Sequence, residues 1–325
     1  MILAGDVGGT KTRLALYEPA ASAREPVLER RLPSREYATL EALVGEFLAA
    51  APARPRRAVL GIAGPVVAQQ VEATNLPWQV SAAALGAALG GMQVLLVNDL
   101  EATAWGLPEL ASGEVETLHP GRPRPGNRVL IAPGTGLGEA LVLWDGREWR
   151  PCASEGGHAD FGPRDPLEDE LLRWLRERHG RVSYERILSG PGLADLYRFL
   201  AATGRGTASS EVARRFESAD DPAAVVTAAA LDGSCERARL ALERFVSILG
   251  AEAGNLAFKA LAVGGIFLGG GIAPRILPVL RSGGFLDALH HKGRLSPLLE
   301  RIPVRVLLDD RAALWGAARL AQVDA

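Results

Sequence analysis

Residues Met1–Tyr17 read Met-Ile-Leu-Ala-Gly-Asp-Val-Gly-Gly-Thr-Lys-Thr-Arg-Leu-Ala-Leu-Tyr. Ile2 to Ala4 and Leu14 to Tyr17 are apolar runs of strand length, so Gly5 to Thr10 between them reads as a hairpin turn. Gly8 and Gly9 lack a Cβ, which frees the turn for positive φ and for close approach of a ligand, and successive N–H groups can converge there on a phosphate. Asp6 offers a carboxylate to a magnesium ion, directly or through water, and Thr10 offers a hydroxyl. Taken alone, such a turn is more often an ordinary tight hairpin. The same device recurs, however. The apolar run Arg128 to Ala132 leads into Pro133-Gly134-Thr135-Gly136-Leu137-Gly138 and then the run Ala140 to Trp144. Two strand, glycine-turn, strand segments point to a duplicated fold in which each half offers a phosphate-binding turn to a shared cleft.

Composition narrows the function classes. The chain has 325 residues, 48% of them hydrophobic, and a net charge of −2. That length suits two ordinary domains with a sizeable core. The near-neutral balance suggests no general attraction to nucleic acid or to an anionic membrane, so small anionic ligands must be held locally. Cys152 and Cys235 are far apart and form no metal or redox motif, which fits a reducing compartment without a structural disulfide. There is no basic leader followed by an apolar segment, and no apolar run long enough to span a bilayer. The expectation is a soluble, cytoplasmic protein with neither nucleic acid nor membrane as partner.

Between and beyond the two turns the chain alternates strand and helix signals. Val27 to Leu32 and Ala58 to Ile62 read as strands, and Leu40 to Ala50 as a helix. Thr74-Asn75-Leu76-Pro77-Trp78 follows a strand-like Gln70 to Ala73, and Ser81 caps an Ala/Leu-rich helix. The strand Gln93 to Val97 ends in Asn98-Asp99, which puts two polar side chains at its carboxyl edge, where open α/β sheets bind ligands; Asp99 could equally cap the following helix. Ala111 to Asn127 is rich in Pro, Gly and charge and reads as a crossing between domains. Ser154-Glu155-Gly156-Gly157-His158-Ala159-Asp160-Phe161 is a polar loop suited to presenting side chains. Glu185 lies after a helix that begins at Asp165 or Pro166, and Leu193 to Ala262 is almost wholly helical. Val263 to Leu268 is a strand leading to Gly269-Gly270-Gly271, where a flat aromatic group could lie against backbone. The spacing of a dinucleotide fingerprint is absent there. Val304 to Leu308 is a last strand, and Arg311 to Ala321 a closing helix.

Taken as an ordered set from Gly5 to Trp315, these motifs resemble the bacterial glucokinase family, within the wider class of sugar kinases, heat-shock ATPases and actin. The resemblance implies an α/β, two-domain actin-like (ribonuclease H-like) ATPase fold with an ATP/sugar cleft between domains. The expected small domain is 1–110 plus 301–325 and the large domain 111–300. It implies ATP-dependent phosphorylation of D-glucose, with ATP and Mg²⁺ as cofactors and a homodimer as the assembly. By the same resemblance Asp6, Gly8, Gly9 and Thr10 with Gly134, Thr135 and Gly136 flank the ATP phosphates, Asp6 binds Mg²⁺, and Gly269, Gly270 and Gly271 receive the adenosine. The sugar ligands match Asn98, Asp99, Glu155, His158 and Glu185, with Asp99 as the catalytic base. The alternatives are a related hexose or amino-sugar kinase and a non-enzymatic sugar-sensing protein of the same fold. Residue types agree with the carry-over: hexose recognition needs acceptors converging on hydroxyls, and phosphoryl transfer needs an aligned γ-phosphate and a carboxylate for the attacking hydroxyl's proton.

Overall fold

The computed structural model describes residues 1–73 and 76–323; Thr74 and Asn75, and with them part of the loop ahead of Trp78, lie outside the described residues. The chain divides into two compact units, one of Met1–Glu114, Arg150–Ala153 and Asp309–Ala325, the other of Val115–Trp149 and Ser154–Leu308.

In the first unit β1 (Ile2–Val7), β2 (Lys11–Tyr17) and β3 (Leu28–Pro33) form an antiparallel meander, and β4 (Arg57–Ile62) and β7 (Gln93–Asn98) extend it in parallel on the β1 side. A short ribbon of β5 (Gln70–Glu72) and β6 (Gln79–Ser81) stands apart from this sheet. Alternation along β1 sorts its side chains to two faces. Leu3 and Val7, with Leu14, Leu16 and Leu60, pack with Leu40, Val44 and Phe47 of the helix Leu40–Ala49. Ile2 and Ala4, with Ala15, Tyr17 and Val59, pack with Ala102 of the helix Asp99–Gly106 and Leu314 and Trp315 of the helix Ala312–Val323. Those two helices cross where both are glycine: a Cβ on Gly106 would run into the Ala312 carbonyl, and one on Gly316 into the Ala102 carbonyl.

The second unit repeats the device. The six-stranded sheet, which apart from residues 150–153 belongs to this unit, has the order β11 (Trp149–Ser154), β10 (Leu137–Trp144), β9 (Arg128–Pro133), β12 (Gly265–Leu268), β13 (Val304–Leu307), β8 (Val115–His119). β9 is antiparallel to β10 and parallel to β12, which is parallel to β13. The run β10-β9-β12-β13 therefore has the order and directions of β2-β1-β4-β7, and the duplication read from the two glycine turns is present in the topology. Helices Pro166–His179, Gly190–Ala202, Ser210–Ser218, Pro222–Leu231 and Glu236–Ala260 supply most of the large core, the last being buried along most of its length. Asp165 and Ser189 cap two of them by accepting from the Glu168 and Gly192 N–H groups.

Three details differ from the sequence reading. β1 and β2 run on to Val7 and from Lys11, so Asp6 is a strand residue opposite Arg13 and the turn is only Gly8-Gly9-Thr10. Gly8 takes no left-handed φ; a Cβ there would make a tight contact with the Lys11 carbonyl, at 3.0 Å. And the supposed crossing Ala111 to Asn127 contains a strand, β8, because Val115–His119 finds an antiparallel partner in β13.

Candidate active site

In the first unit the geometry grows from Gly61. Asp6 on β1 is in register with Gly61 on β4, and a Cβ on Gly61 would lie 2.8 Å from the Ala102 Cβ and 3.6 Å from the Asp99 Cα. The missing side chain lets the helix Asp99–Gly106 begin directly over β4, on the same face as Asp6. Asn98, the last residue of β7, is the cap of this helix: its Oδ1 accepts from the Leu100 N–H at 2.9 Å and the Glu101 N–H at 3.4 Å, while Nδ2 donates to the Gly64 carbonyl at 3.1 Å. Capping is thus the work of Asn98, and Asp99 occupies the first helical position, with Oδ1 accepting from the Leu100 N–H at 2.9 Å. A carboxylate at a helix N-terminus is electrostatically favoured.

The strand end nearby is strongly acidic. Desolvation, reinforced by the charges of Asp99 and Asp310 and opposed by Arg13 and Arg31, pushes the Asp6 carboxyl up to about 7. Asp310 in turn pairs with Arg13 at 3.0 Å. A carboxylate repelled in this way fits a divalent cation that one protein carboxylate shares with phosphate oxygens. Among the described residues no group of three or more His, Cys, Asp or Glu side chains could hold a metal unaided.

The first glycine turn is braced by a residue that sequence reasoning missed. Ser34, fully buried just past β3, donates from Oγ to the Gly8 carbonyl at 2.7 Å and from its N–H to the Thr10 carbonyl at 3.1 Å; its Oγ also lies 2.9 Å from Thr12 Oγ1. With its carbonyls held from behind, the turn keeps a fixed backbone, as an anion nest requires. The only signal in the chain is a small polar residue after the strand that pairs with β2, which no local pattern distinguishes from an ordinary loop serine.

In the second unit the structure brings together the remaining residues that the sequence reading expects at the sugar and the nucleotide. The turn Gly134-Thr135-Gly136 joins β9 to β10, with Thr135 exposed at its tip. The Gly134 carbonyl accepts from the Gly190 N–H at 2.8 Å. Glu185 closes over the other side: Oε2 accepts from the Leu137 N–H at 3.0 Å, and a Cβ on Gly136 would lie 2.5 Å from that oxygen. The other carboxylate oxygen of Glu185 is 3.7 Å from His158 Nδ1, and His158 Nε2 is 3.9 Å from Glu155 Oε2, so the imidazole stands between two carboxylates. In the intervening loop a Cβ on Gly157 would strike the Leu137 carbonyl, a backbone atom, and one on Gly156 would displace the Glu139 carboxyl. Gly270 has φ +74° and abuts the Pro133 carbonyl, while Gly271 has open space where a side chain would go. Gly269 to Gly271 thus lie beside the second turn; Gly269 is buried, and Gly270 and Gly271 are the exposed backbone on which a ring can rest.

Two α/β units of repeated topology, each with a glycine turn between antiparallel strands, define the actin-like two-domain ATPase fold. The family model described as Glucokinase matches residues 3–324, and the chain belongs to that family. A glucokinase of a Nostoc species is 39% identical over 334 residues, covering 98% of each chain. The crystal structure of a glucokinase from an Antarctic psychrotroph superposes with a TM-score of 0.83 at 32% identity, covering 99% of this chain and 98% of that one. A ROK family glucokinase from Streptomyces griseus, solved with glucose and AMPPNP, shares the fold at a TM-score of 0.66 and 21% identity, covering 99% of each chain. The chain is accordingly an enzyme that phosphorylates glucose with ATP. Among the described residues no helix is long and apolar enough to cross a membrane.

Proposed function

We propose that Asp99 is the general base in transfer of the γ-phosphoryl group of ATP to the 6-hydroxyl of D-glucose. The observation that carries this reading is that Asp99 opens a helix over Gly61 on the face of the sheet that also carries Asp6, on the strand that leads into the first glycine turn. The sugar O6 attacks the γ-phosphorus, the O6–P bond forms as the bond to the β–γ bridging oxygen breaks, the hydroxyl proton passes to the Asp99 carboxylate, and ADP leaves. Positioning and charge stabilisation supply most of the acceleration in such transfers. Asn98 is the neighbouring sugar ligand; its amide is already fixed by the helix N–H groups and the Gly64 carbonyl, so it meets a hydroxyl in one orientation. Glu155, His158 and Glu185 are the proposed acceptors and donors for the other hydroxyls.

Gly8, Gly9 and Thr10 and, in the second unit, Gly134, Thr135 and Gly136 are the proposed phosphate turns, and Gly269, Gly270 and Gly271 the adenosine rest. Asp6, directly or through water, would hold Mg²⁺, which when bound neutralises charge on the phosphates. The proposed setting is the cytoplasm, as a homodimer, without nucleic acid as a partner; the family resemblance and the net charge of −2 support this reading. The test of the base is Asp99→Asn. General-base assistance is typically worth about 10² to 10⁴ in rate, so kcat should fall by that range while the glucose Kd from calorimetry changes far less. A variant that keeps more than roughly a tenth of the wild-type kcat would remove Asp99 from this role.

A further inference from the structure

Beneath the Glu155–His158 turn lies a group of buried polar side chains that the chemistry above does not use. Glu139 on β10 is 1% exposed, and neither of its carboxyl oxygens has a hydrogen-bond partner among the described residues. Its Oε2 fills the space where a Cβ of Gly156 would stand, so this carboxyl is the floor on which the turn rests. Facing it from the helix Glu236–Ala260 is Glu252, wholly buried, whose Oε2 accepts from Asn255 Nδ2 at 2.9 Å and whose Oε1 lies 3.6 Å from Lys259 Nζ. Asn255 also donates to the Tyr184 hydroxyl at 3.2 Å and accepts from Lys292 Nζ, which reaches the Ala251 carbonyl at 2.9 Å. Tyr184 precedes Glu185, and its N–H donates to the Ala159 carbonyl at 3.0 Å, just past the turn. Glu139 thus underlies the Glu155–His158 turn, and the bonds centred on Asn255 tie the facing Glu252 to Tyr184, next to Glu185.

An ionised carboxylate with no donor in reach is far more costly to bury than the neutral acid, and a facing carboxylate raises that cost. The charged groups acting on Glu139 are Glu252, which opposes its ionisation, and Lys259, which favours it; on the turn above stand the titratable Glu155 and His158, and beyond Asn255 are Tyr184 and Lys292. Burial first, then the Glu252 charge, pushes the Glu139 carboxyl up to about 8. At neutral pH it is an acid.

We propose that Glu139 is a positioning residue for glucose: in its neutral form it holds the Glu155–His158 turn in the glucose-binding arrangement, and its ionisation releases that turn. The proposal rests on the assignment of Glu155 and His158 to glucose. If binding needs the acid form, the glucose KM is flat below the midpoint and rises about tenfold per pH unit above it. Glucose and ATP KM values measured from pH 6.5 to 9.5 test this. For the wild type the glucose KM should rise about tenfold between pH 7 and 9 while the ATP KM shows no rise. Glu139→Gln, which cannot ionise, should give a glucose KM that is independent of pH over that range. Glu252→Gln removes the facing charge, lowers the Glu139 midpoint and should move the rise to lower pH; it keeps the test open if Glu139→Gln does not fold. A level wild-type profile, a Gln variant that retains the rise, or an unmoved midpoint in Glu252→Gln would overturn the proposal. Glu155→Gln separates it from its premise: if that variant leaves the glucose KM unchanged, the assignment of the turn to the sugar fails, whereas a raised KM with a failed Glu139 test rejects the positioning role alone.

Discussion

Glu139 also makes a prediction at the scale of one residue that needs no substrate. Its folded-state value of about 8 stands above the ordinary 4.5, so the folded chain holds this proton more tightly than the unfolded chain does. Its contribution to stability is therefore fully present below about 4.5 and is lost as pH rises toward about 8. Across that window the wild type should lose about 1.4 kcal/mol per pH unit relative to Glu139→Gln, or about 3 to 5 °C in Tm per unit for a domain of this size. Calorimetric Tm values of both proteins from pH 5 to 9 check this; a difference that does not vary with pH would mean the carboxyl is not held neutral. A glutamate at the head of an apolar strand, Leu137–Trp144, carries no local mark of such a role. Its burial follows from what arrives over it later in the chain, Gly156 above and the helix Glu236–Ala260 beside it. Ser34 was equally invisible, since its bonds run to Gly8 and Thr12, 26 and 22 residues back.

The helix that presents Asp99 is held by a crossing of two helices at paired glycines, and this gives the prediction at the scale of elements. Gly316→Ala would drive a methyl into the Ala102 carbonyl, a backbone atom that cannot turn aside. Overpacking of this kind costs about 1 to 3 kcal/mol, more than the roughly 1 kcal/mol that alanine gains over glycine in a helix, so Tm and kcat should both fall. Gly45→Ala is the contrast: that helical glycine has nothing within 4 Å of an added Cβ, and Tm should rise. Equal Tm changes in the two variants would contradict the close crossing. The elements legible in the sequence were those with local signals. The two glycine hairpins announced themselves by apolar runs flanking Gly and Thr, and the helix after Asn98 by a polar residue at a strand end. β8 was not legible, because Val115–His119 lies among Pro, Gly and charge and is a strand only by pairing with the distant β13. β11 was not legible for a similar reason, with Pro151 and exposed residues between Trp149 and Ser154.

At the scale of the whole molecule, the proposed homodimer predicts a light-scattering mass of twice the 34.3 kDa chain at micromolar concentration, and a mass of one chain would reject it. The whole-chain match to the glucokinase family agrees with motifs that were legible as an ordered set, yet Asn98, Glu155, His158 and Glu185 are identified as a sugar set only through family resemblance. Nothing local distinguishes Glu185 from an exposed helical carboxylate; its meaning lies in the bond to the Leu137 N–H, 48 residues away in sequence. The central claim, that these residues serve phosphorylation of glucose at its 6-hydroxyl, is tested most directly by ADP release with ATP and Mg²⁺ across a panel of glucose, mannose, fructose, mannosamine and glucosamine, with the glucose product characterised by NMR. The account predicts that glucose has the highest kcat/KM and that the phosphate is on O6. Release of ADP that does not depend on sugar, or turnover of mannosamine or fructose well above glucose, would contradict it.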